Sequence, residues 1–122
     1  MIILKKKIVG YGASTKGNII LNHCKINSNK IKFIGDGNSQ KWGRYTPGSN
    51  IKIISKREMR KLKPDYLFVL IWSFRSEVIK QEKKFILGNG KLIFPLPIFH
   101  IIDKENYKNY LNENLNSLGY SI

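Results

Sequence analysis

The stretch Gly10-Tyr11-Gly12-Ala13-Ser14-Thr15-Lys16-Gly17-Asn18 decides the fold of this 122-residue chain. It follows an apolar run that predicts a strand over 2–10, and it opens a helix that we predict over 14–24. Glycines in such a turn let the backbone bend sharply and let a phosphate approach the N-terminus of the helix. They can also do no more than make a tight turn, and the motif alone leaves both interpretations open.

Outward from this turn, the chain alternates strands and helices. β-Branched or apolar runs predict further strands at 31–34, 51–54, 66–72 and 92–94, and helical spacing predicts helices at 55–63 and 73–87. This alternation predicts a Rossmann-like parallel five-stranded sheet in the order 3-2-1-4-5, with helices on both faces. Residues 1–102 would form this domain, and residues 103–122 a C-terminal helical tail that belongs to it.

The composition excludes several classes of protein. The single cysteine, Cys24, excludes an internal disulfide and a cysteine-cluster zinc site, and we expect it in the core. The sequence contains no signal-peptide core and no apolar stretch long enough for a membrane helix, so we expect a cytoplasmic protein. The net charge of +14 is compatible with phosphate-bearing partners. Nucleic acid is disfavoured because the basic residues are scattered and are mostly lysine.

The spacing of the glycines departs from the standard nucleotide-binding motifs. In a dinucleotide fingerprint the third glycine would come two residues before Gly17. In a P-loop a Lys and a Ser or Thr would follow the second glycine, whereas Asn18 follows Gly17 here. Asp36 closes the second predicted strand, 19 residues beyond Gly17, where Rossmann folds often place a carboxylate that binds ribose.

Four blocks of the sequence together resemble a known family. They are Gly10 to Ala13 with Lys16 to Asn18 and Leu21-Asn22; Asp36, Asn38, Lys41 and Gly43 to Gly48; Lys63 to Tyr66 with Trp72, Phe74, Glu77 and Gly90-Lys91; and Pro95 to Pro97. In these blocks the chain resembles the C-terminal domain of S-adenosylmethionine-dependent sugar C-methyltransferases. Those enzymes methylate a ketosugar attached to a nucleoside diphosphate, in deoxysugar biosynthesis.

The resemblance implies a division of labour. The family's N-terminal zinc module and its central domain, which binds S-adenosylmethionine and supplies the catalytic residues, have no counterpart in this sequence. We therefore expect no catalytic residue, no metal and no cofactor in this chain, with the methyl donor on a separate or absent domain. The expected partner is a nucleotide-sugar. The alternatives are a non-catalytic binding or assembly module and, less favoured, a basic nucleic-acid binder.

The expected ligand contacts lie at one edge of the sheet. The pyrophosphate would lie against the glycine-rich turn, and Asp36 would face the ribose or sugar hydroxyls. Trp72 ends the fourth strand and could stack on a base or cap the core, and Tyr45 belongs to a long loop that we expect over the same edge. The candidate site residues are therefore Gly10, Gly12, Ser14, Thr15, Lys16, Gly17, Asn18, Asp36, Tyr45 and Trp72.

Overall fold

The sheet contains one strand more than the sequence predicts. In the computed structural model, which describes residues 6–111, six strands form one sheet in the order β3-β2-β1-β4-β5-β6. The first five strands are parallel, and β6 is antiparallel to β5. The predicted order 3-2-1-4-5 is thus confirmed, and the prediction of a wholly parallel five-stranded sheet is wrong. The strands are β1 (Ile8–Tyr11), β2 (Phe33–Asp36), β3 (Lys52–Ser55), β4 (Tyr66–Val69), β5 (Lys91–Phe94) and β6 (His100–Ile102).

The extra strand arises from a tight reversal of the chain after β5. The segment 95–99 turns back at the carboxyl end of β5, and His100 then pairs with Phe94. The two rings stack with centroids 5.0 Å apart, and Ile102 is fully buried against the sheet. A strand of three residues after two prolines has no readable periodicity, and for this reason the sequence does not reveal it.

The described residues contain seven short helices, six between the strands and one after β6. Four are α-helices: α1 (Thr15–His23), α2 (Lys56–Lys61), α3 (Arg75–Gln81) and α4 (Lys83–Leu87). Three are 3-10 helices: Ser39–Lys41, Trp72–Phe74 and Tyr107–Tyr110. In the sequence, Ser55 stands three residues before Glu58, which is the spacing of a capping box and predicts a helix start. The structure confirms this start, since the Oγ of Ser55 accepts a hydrogen bond of 3.0 Å from the backbone N–H of Glu58.

The helix predicted over 73–87 is divided at Glu82. The backbone there has φ −104° and ψ 24°, and the side chain is only 2% exposed. Its carboxylate accepts hydrogen bonds from Arg60 on α2 (Nη2 to Oε2, 2.6 Å) and from the buried hydroxyl of Tyr11 (3.0 Å). A buried carboxylate needs such partners, so the chain bends where the partners lie.

Helices pack on both faces of the sheet, as predicted. Alternate residues of β4 separate the two cores, since Leu67 and Val69 belong to one cluster while Phe68 packs against the other. The first cluster also receives buried side chains from α2, α3 and α4, and Leu21 of α1 lies in the second. The described helices include none that is long and apolar enough to cross a membrane.

Two predictions about the ends of elements have different outcomes. The expectation that Cys24 is buried is wrong, because α1 ends at His23 and the exposed Cys24 follows it. Of the predicted tail helix over 103–122, the described part contains the 3-10 helix at Tyr107–Tyr110. Residues 112–122 of that tail and residues 2–5 of the predicted first strand lie outside the described residues.

Close packing explains why the turn before α1 is rich in glycine. A Cβ at Gly17 would lie 2.5 Å from the Cβ of Leu70, the residue that follows β4. A Cβ at Gly12, where φ is +86°, would lie 2.7 Å from Cγ2 of Ile71. These two glycines therefore let α1 approach the carboxyl end of β4 more closely than any other residue would allow.

This packing predicts that Gly17→Ala destabilises the fold. We expect the free energy of unfolding to fall by about 1–3 kcal/mol, the usual cost of overpacking, despite the better helix propensity of alanine. Chemical denaturation measures the change. Gly37→Ala is the matched control, because a Cβ there has only the side chain of Lys56 nearby, at 3.8 Å. Equal stability of both variants would contradict the packing role of Gly17.

Candidate functional site

A cavity of about 350 Å³ opens where α1 begins, at the carboxyl edge of the sheet. One wall is the first turn of α1, and the other is the segment that follows β4. Open α/β sheets bind their ligands at this edge. The lining residues are Ser14, Thr15, Lys16, Leu70, Ile71, Trp72, Ser73 and Phe74.

The N-terminus of α1 gives one wall of the cavity a positive potential. Ser14 caps the helix, since its Oγ accepts a hydrogen bond of 3.0 Å from the N–H of Gly17 and lies 3.3 Å from the carbonyl oxygen of Leu70, to which it donates. The first turn contains no acidic residue, and the exposed side chains of Thr15 and Lys16 lie at the cavity. The helix dipole and the Lys16 ammonium therefore add up to a site that favours an anion.

Asp36 binds the glycine turn itself. Its Oδ2 accepts a hydrogen bond of 2.8 Å from the N–H of Ala13, and its Oδ1 accepts one of 2.7 Å from the N–H of Asn38. The Nζ of Lys41 donates to the carbonyl oxygen of Ala13 at 2.8 Å and lies 4.0 Å from Oδ2 of Asp36. Each carboxylate oxygen keeps a second acceptor position, so a sugar hydroxyl could share Asp36 with the turn.

Asn18 points to a different part of the chain. Its Nδ2 donates to the carbonyl oxygen of Pro47 at 3.0 Å, and its Oδ1 accepts from the hydroxyl of Ser49 at 2.7 Å. Asn22, one turn later, donates to the same carbonyl oxygen. Asn18 therefore fastens the 46–49 loop to α1, and it does not line the cavity described above.

The loop that precedes β3 brings an unexpected residue to this edge. Tyr45 forms a bridge with Lys52, the first residue of β3, so its expected place over the carboxyl edge is wrong. Trp42 lies there instead, and its Nε1 donates to the carbonyl oxygen of Asp36 at 2.7 Å. Residues 43–46 run beside β3 and are held there by backbone hydrogen bonds, such as that from the N–H of Gly43 to the carbonyl oxygen of Ile53. Backbone hydrogen bonds leave no pattern of side chains, so the sequence does not predict this path. Lys41 belongs to the second block of the family resemblance, together with Asp36 and Asn38.

Trp72 belongs to both the core and the cavity. Only 8% of its surface is exposed, and it packs in the cluster under α2–α4 while it also borders the cavity. Its indole Nε1 is buried and has no hydrogen-bond partner among the described residues. A buried donor without a partner is costly, so the packing of the Trp72 ring in the core has to offset this cost.

A larger cavity, of about 870 Å³, lies between α2 and the α3–α4 pair. Its buried carboxylate, Glu82, is bound by Arg60 and Tyr11, so the polar groups there satisfy each other. Burial and the charge of Glu82 raise the pKa of Tyr11, and the hydrogen bond to Glu82 raises the pKa of Arg60. Tyr11 therefore stays a neutral donor and Arg60 a cation, as a structural cluster requires. In the described part of the chain, no three His, Cys, Asp or Glu side chains come together as metal ligands.

These features define a Rossmann-like domain whose first helix presents its N-terminus to a cavity at the carboxyl edge. The fold matches that of UDP-D-quinovosamine 4-dehydrogenase from Vibrio fischeri with a TM-score of 0.50 and 16% identity, over 98% of this chain and 93% of that one. More specifically, the chain belongs to the C-methyltransferase C-terminal domain family, whose family model matches residues 4–97. The resemblance seen in the sequence is thereby confirmed.

A curated relative places the domain within a longer protein. The chain is 37% identical over 101 residues to the C-methyltransferase NovU of Streptomyces niveus. The match covers 83% of this chain and 24% of NovU, so the chain spans about a quarter of the length of that relative.

The hydrogen bond from Ala13 to Asp36 predicts that Asp36→Ala loosens the turn. We expect a loss of about 1.5–3 kcal/mol in the free energy of unfolding, because two backbone N–H groups lose a charged acceptor. Thermal and chemical denaturation measure it. Glu105→Ala removes an exposed carboxylate elsewhere and should change stability by no more than about 0.5 kcal/mol. If the two variants behave alike, Asp36 does not hold the turn.

Proposed function

We propose that this chain is the nucleotide-sugar-binding C-terminal domain of a sugar C-methyltransferase. The observation that carries the proposal is the cavity at the start of α1, where the helix N-terminus and the exposed Thr15 and Lys16 face the exposed ring of Phe74. Membership of the C-methyltransferase family supports the reaction class. The sugar itself is a proposal from this geometry and from the resemblance described above.

The pyrophosphate would lie against the first turn of α1. Thr15 and Lys16 are exposed at the cavity, whereas Ser14 and the glycines shape the turn through their own contacts. An anion between the N-terminus of α1 and the Lys16 ammonium would be attracted by both positive groups. The most direct ligand contacts in this proposal are therefore those of Thr15 and Lys16.

The rest of the ligand would extend along the segment after β4. The ring of Phe74 is 55% exposed beside the cavity and offers a stacking surface to a base or sugar. The indole N–H of Trp72 is buried, so a shift of its ring on binding would be needed to let it donate to a carbonyl or hydroxyl oxygen of the ligand. Asp36, already bound to the turn, would accept from a hydroxyl with its second lone pairs.

We do not expect S-adenosylmethionine at this edge of the sheet. It carries two cationic groups and one carboxylate, so its net positive charge suits the N-terminus of α1 and Lys16 less well than a pyrophosphate does. In this proposal the methyl donor and the catalytic groups come from another segment or chain. The 122-residue chain alone should therefore not transfer a labelled methyl group to a ketosugar nucleotide, and repeated turnover by it would contradict the proposal.

A second candidate function is an assembly module that has kept the fold without the ligand. It is favoured by the polar side chains at the turn that already bind other groups of the protein, namely Ser14 (the N–H of Gly17), Asn18 (the hydroxyl of Ser49) and Asp36 (the N–H of Ala13). This candidate predicts that no nucleotide-sugar stabilises the protein. Ligand titration therefore separates the two functions.

We expect Lys16→Ala to weaken the binding of UDP-glucose, dTDP-glucose and inorganic pyrophosphate alike. The loss should be about 1.5–3 kcal/mol, or roughly 10- to 150-fold in Kd, which is the scale of a hydrogen bond to a charged group. Calorimetry measures the affinities. Lys30→Ala, an exposed lysine beyond the end of α1, is the charge-matched control. Unchanged affinities in Lys16→Ala, or the same loss in both variants, would contradict a specific phosphate site at α1.

Trp72→Phe tests the role of the indole N–H of Trp72 separately from that of Lys16. The variant removes the Nε1–H but keeps an aromatic ring, so the affinity for the two nucleotide-sugars should fall by roughly 5- to 30-fold while that for pyrophosphate stays the same. Melting temperature is recorded on the same samples. Loss of stability with no change in either affinity would mean that Trp72 serves only the core.

A further inference from the structure

The larger cavity lies at the opposite edge of the sheet, where the strands begin, and we name it the amino-edge cavity. Its volume is about 870 Å³, and its lining includes residues 63–65 before β4 and residues 88–90 before β5. Small-molecule sites have volumes in this range. The proposed function uses none of these residues, although two stretches that resemble the family, Lys63 to Tyr66 and Gly90-Lys91, lie at this edge.

The inner wall of the amino-edge cavity is apolar. Met59 of α2 and Leu67 of β4 line it and are each only 1% exposed, and the half-buried ring of Phe85 lines it from α4. A Cβ at Gly90 would collide with that ring, so glycine at this position lets the ring lie against the turn before β5. Together these side chains offer an apolar contact surface to a ligand.

The charged side chains that line the cavity leave an excess of one positive charge. Arg60 and Glu82 form an ion pair, with 2.6 Å between Nη2 and Oε2, so their charges offset each other. Lys63 and Lys84 then remain against one carboxylate, that of Asp65. Within residues 6–111, neither ammonium group has an ion-pair or hydrogen-bond partner. A ligand with a single negative charge would therefore balance the charge of the lining.

The helices around the cavity add to its positive potential. Residues 56–63 and 80–84 contain eight Lys or Arg and two Glu, so these two segments carry +6 of the chain's net charge of +14. The C-termini of α2 and α4 lie at this edge with a partial negative charge, which the basic residues of their last turns, Arg60, Lys61 and Lys84, offset. A positive potential over a concave surface attracts anions.

We propose that the amino-edge cavity binds a small amphipathic carboxylate, such as a medium-chain fatty acid or an aromatic acid. Its acid group would pair with the ammonium groups of Lys63 and Lys84, and its apolar body would contact Leu67 and Phe85 at the inner wall. Inorganic phosphate suits the cavity less well, because it has no apolar part to bury and its second charge exceeds the excess charge of the lining. The proposal is independent of the nucleotide-sugar site, which lies at the opposite edge of the sheet.

Octanoate is the probe, titrated into the 122-residue chain and followed by calorimetry and amide NMR. We expect saturable binding with a Kd below about 1 mM and with the largest shifts at Lys84, Phe85 and Asn89, which line the cavity. Acetate keeps the carboxylate but lacks the chain, and octylammonium keeps the chain but reverses the charge. Each should bind at least roughly 10-fold more weakly than octanoate, because each lacks one of the two interactions.

The double variant Lys63→Gly/Lys84→Gln removes both ammonium groups at little cost to the fold. Residue 63 has a φ of 50°, which glycine adopts readily, and glutamine keeps the helix propensity of lysine. We expect the affinity for octanoate to fall roughly 10- to 100-fold. Lys25→Gly/Lys83→Gln is the matched control, because Lys25 also has a left-handed backbone (φ 57°), Lys83 adjoins Lys84 in α4, and neither lines the cavity.

The control loses the same two charges and should bind octanoate like the wild type, and melting temperatures check that both double variants are folded. No saturable binding of octanoate by the wild type, equal affinities for octanoate and octylammonium, or the same loss in both double variants would each overturn the proposal. Shifts confined to Thr15 and Lys16 would overturn it as well, because they would put octanoate at the cavity of α1. If the first double variant does not fold, the comparison of the three probes on the wild type still decides.

Discussion

The close approach of α1 to the carboxyl end of β4 is the constraint on which the rest of the site depends. It requires glycine at position 17, where Leu70 leaves no room for a Cβ, and it lets Ser14 bind both its own helix and the carbonyl oxygen of Leu70. A helix that started farther from the sheet would not face the segment after β4 across a cavity. The approach of α1 to β4 thus brings the positive end of α1 and the segment after β4, which includes Trp72, to the same cavity.

Charge then selects the kind of ligand that suits this space. The helix dipole and Lys16 both favour an anion, and the Nζ of Lys41, 4.0 Å from Oδ2 of Asp36, offsets the charge of that carboxylate. Glu82 is likewise bound, by Arg60 and Tyr11. The two carboxylates thus stabilise the fold, and the proposed phosphate site keeps a positive potential.

Local signals in the sequence predicted the local parts of the structure. The spacing of Ser55 and Glu58 marked the start of α2, and the glycines marked the turn before α1. The alternation of strands and helices predicted the parallel strands, and the Rossmann-like pattern predicted their order 3-2-1-4-5. Features set by distant contacts were not predictable. Tyr45 is placed by a loop that returns beside β3, β6 by a reversal after prolines, and the break at Glu82 by partners on other elements.

The central claim is that the N-terminus of α1 binds the phosphates of a nucleotide-sugar. Amide and indole NMR during titration with UDP-glucose tests this claim most directly, because it reports on each residue separately. The account predicts the largest shifts at Thr15, Lys16 and the Nε1–H of Trp72, all of which belong to the cavity at α1. Shifts confined to the larger cavity, at Lys63, Lys84 and Asn89, or no shifts at all, would contradict it.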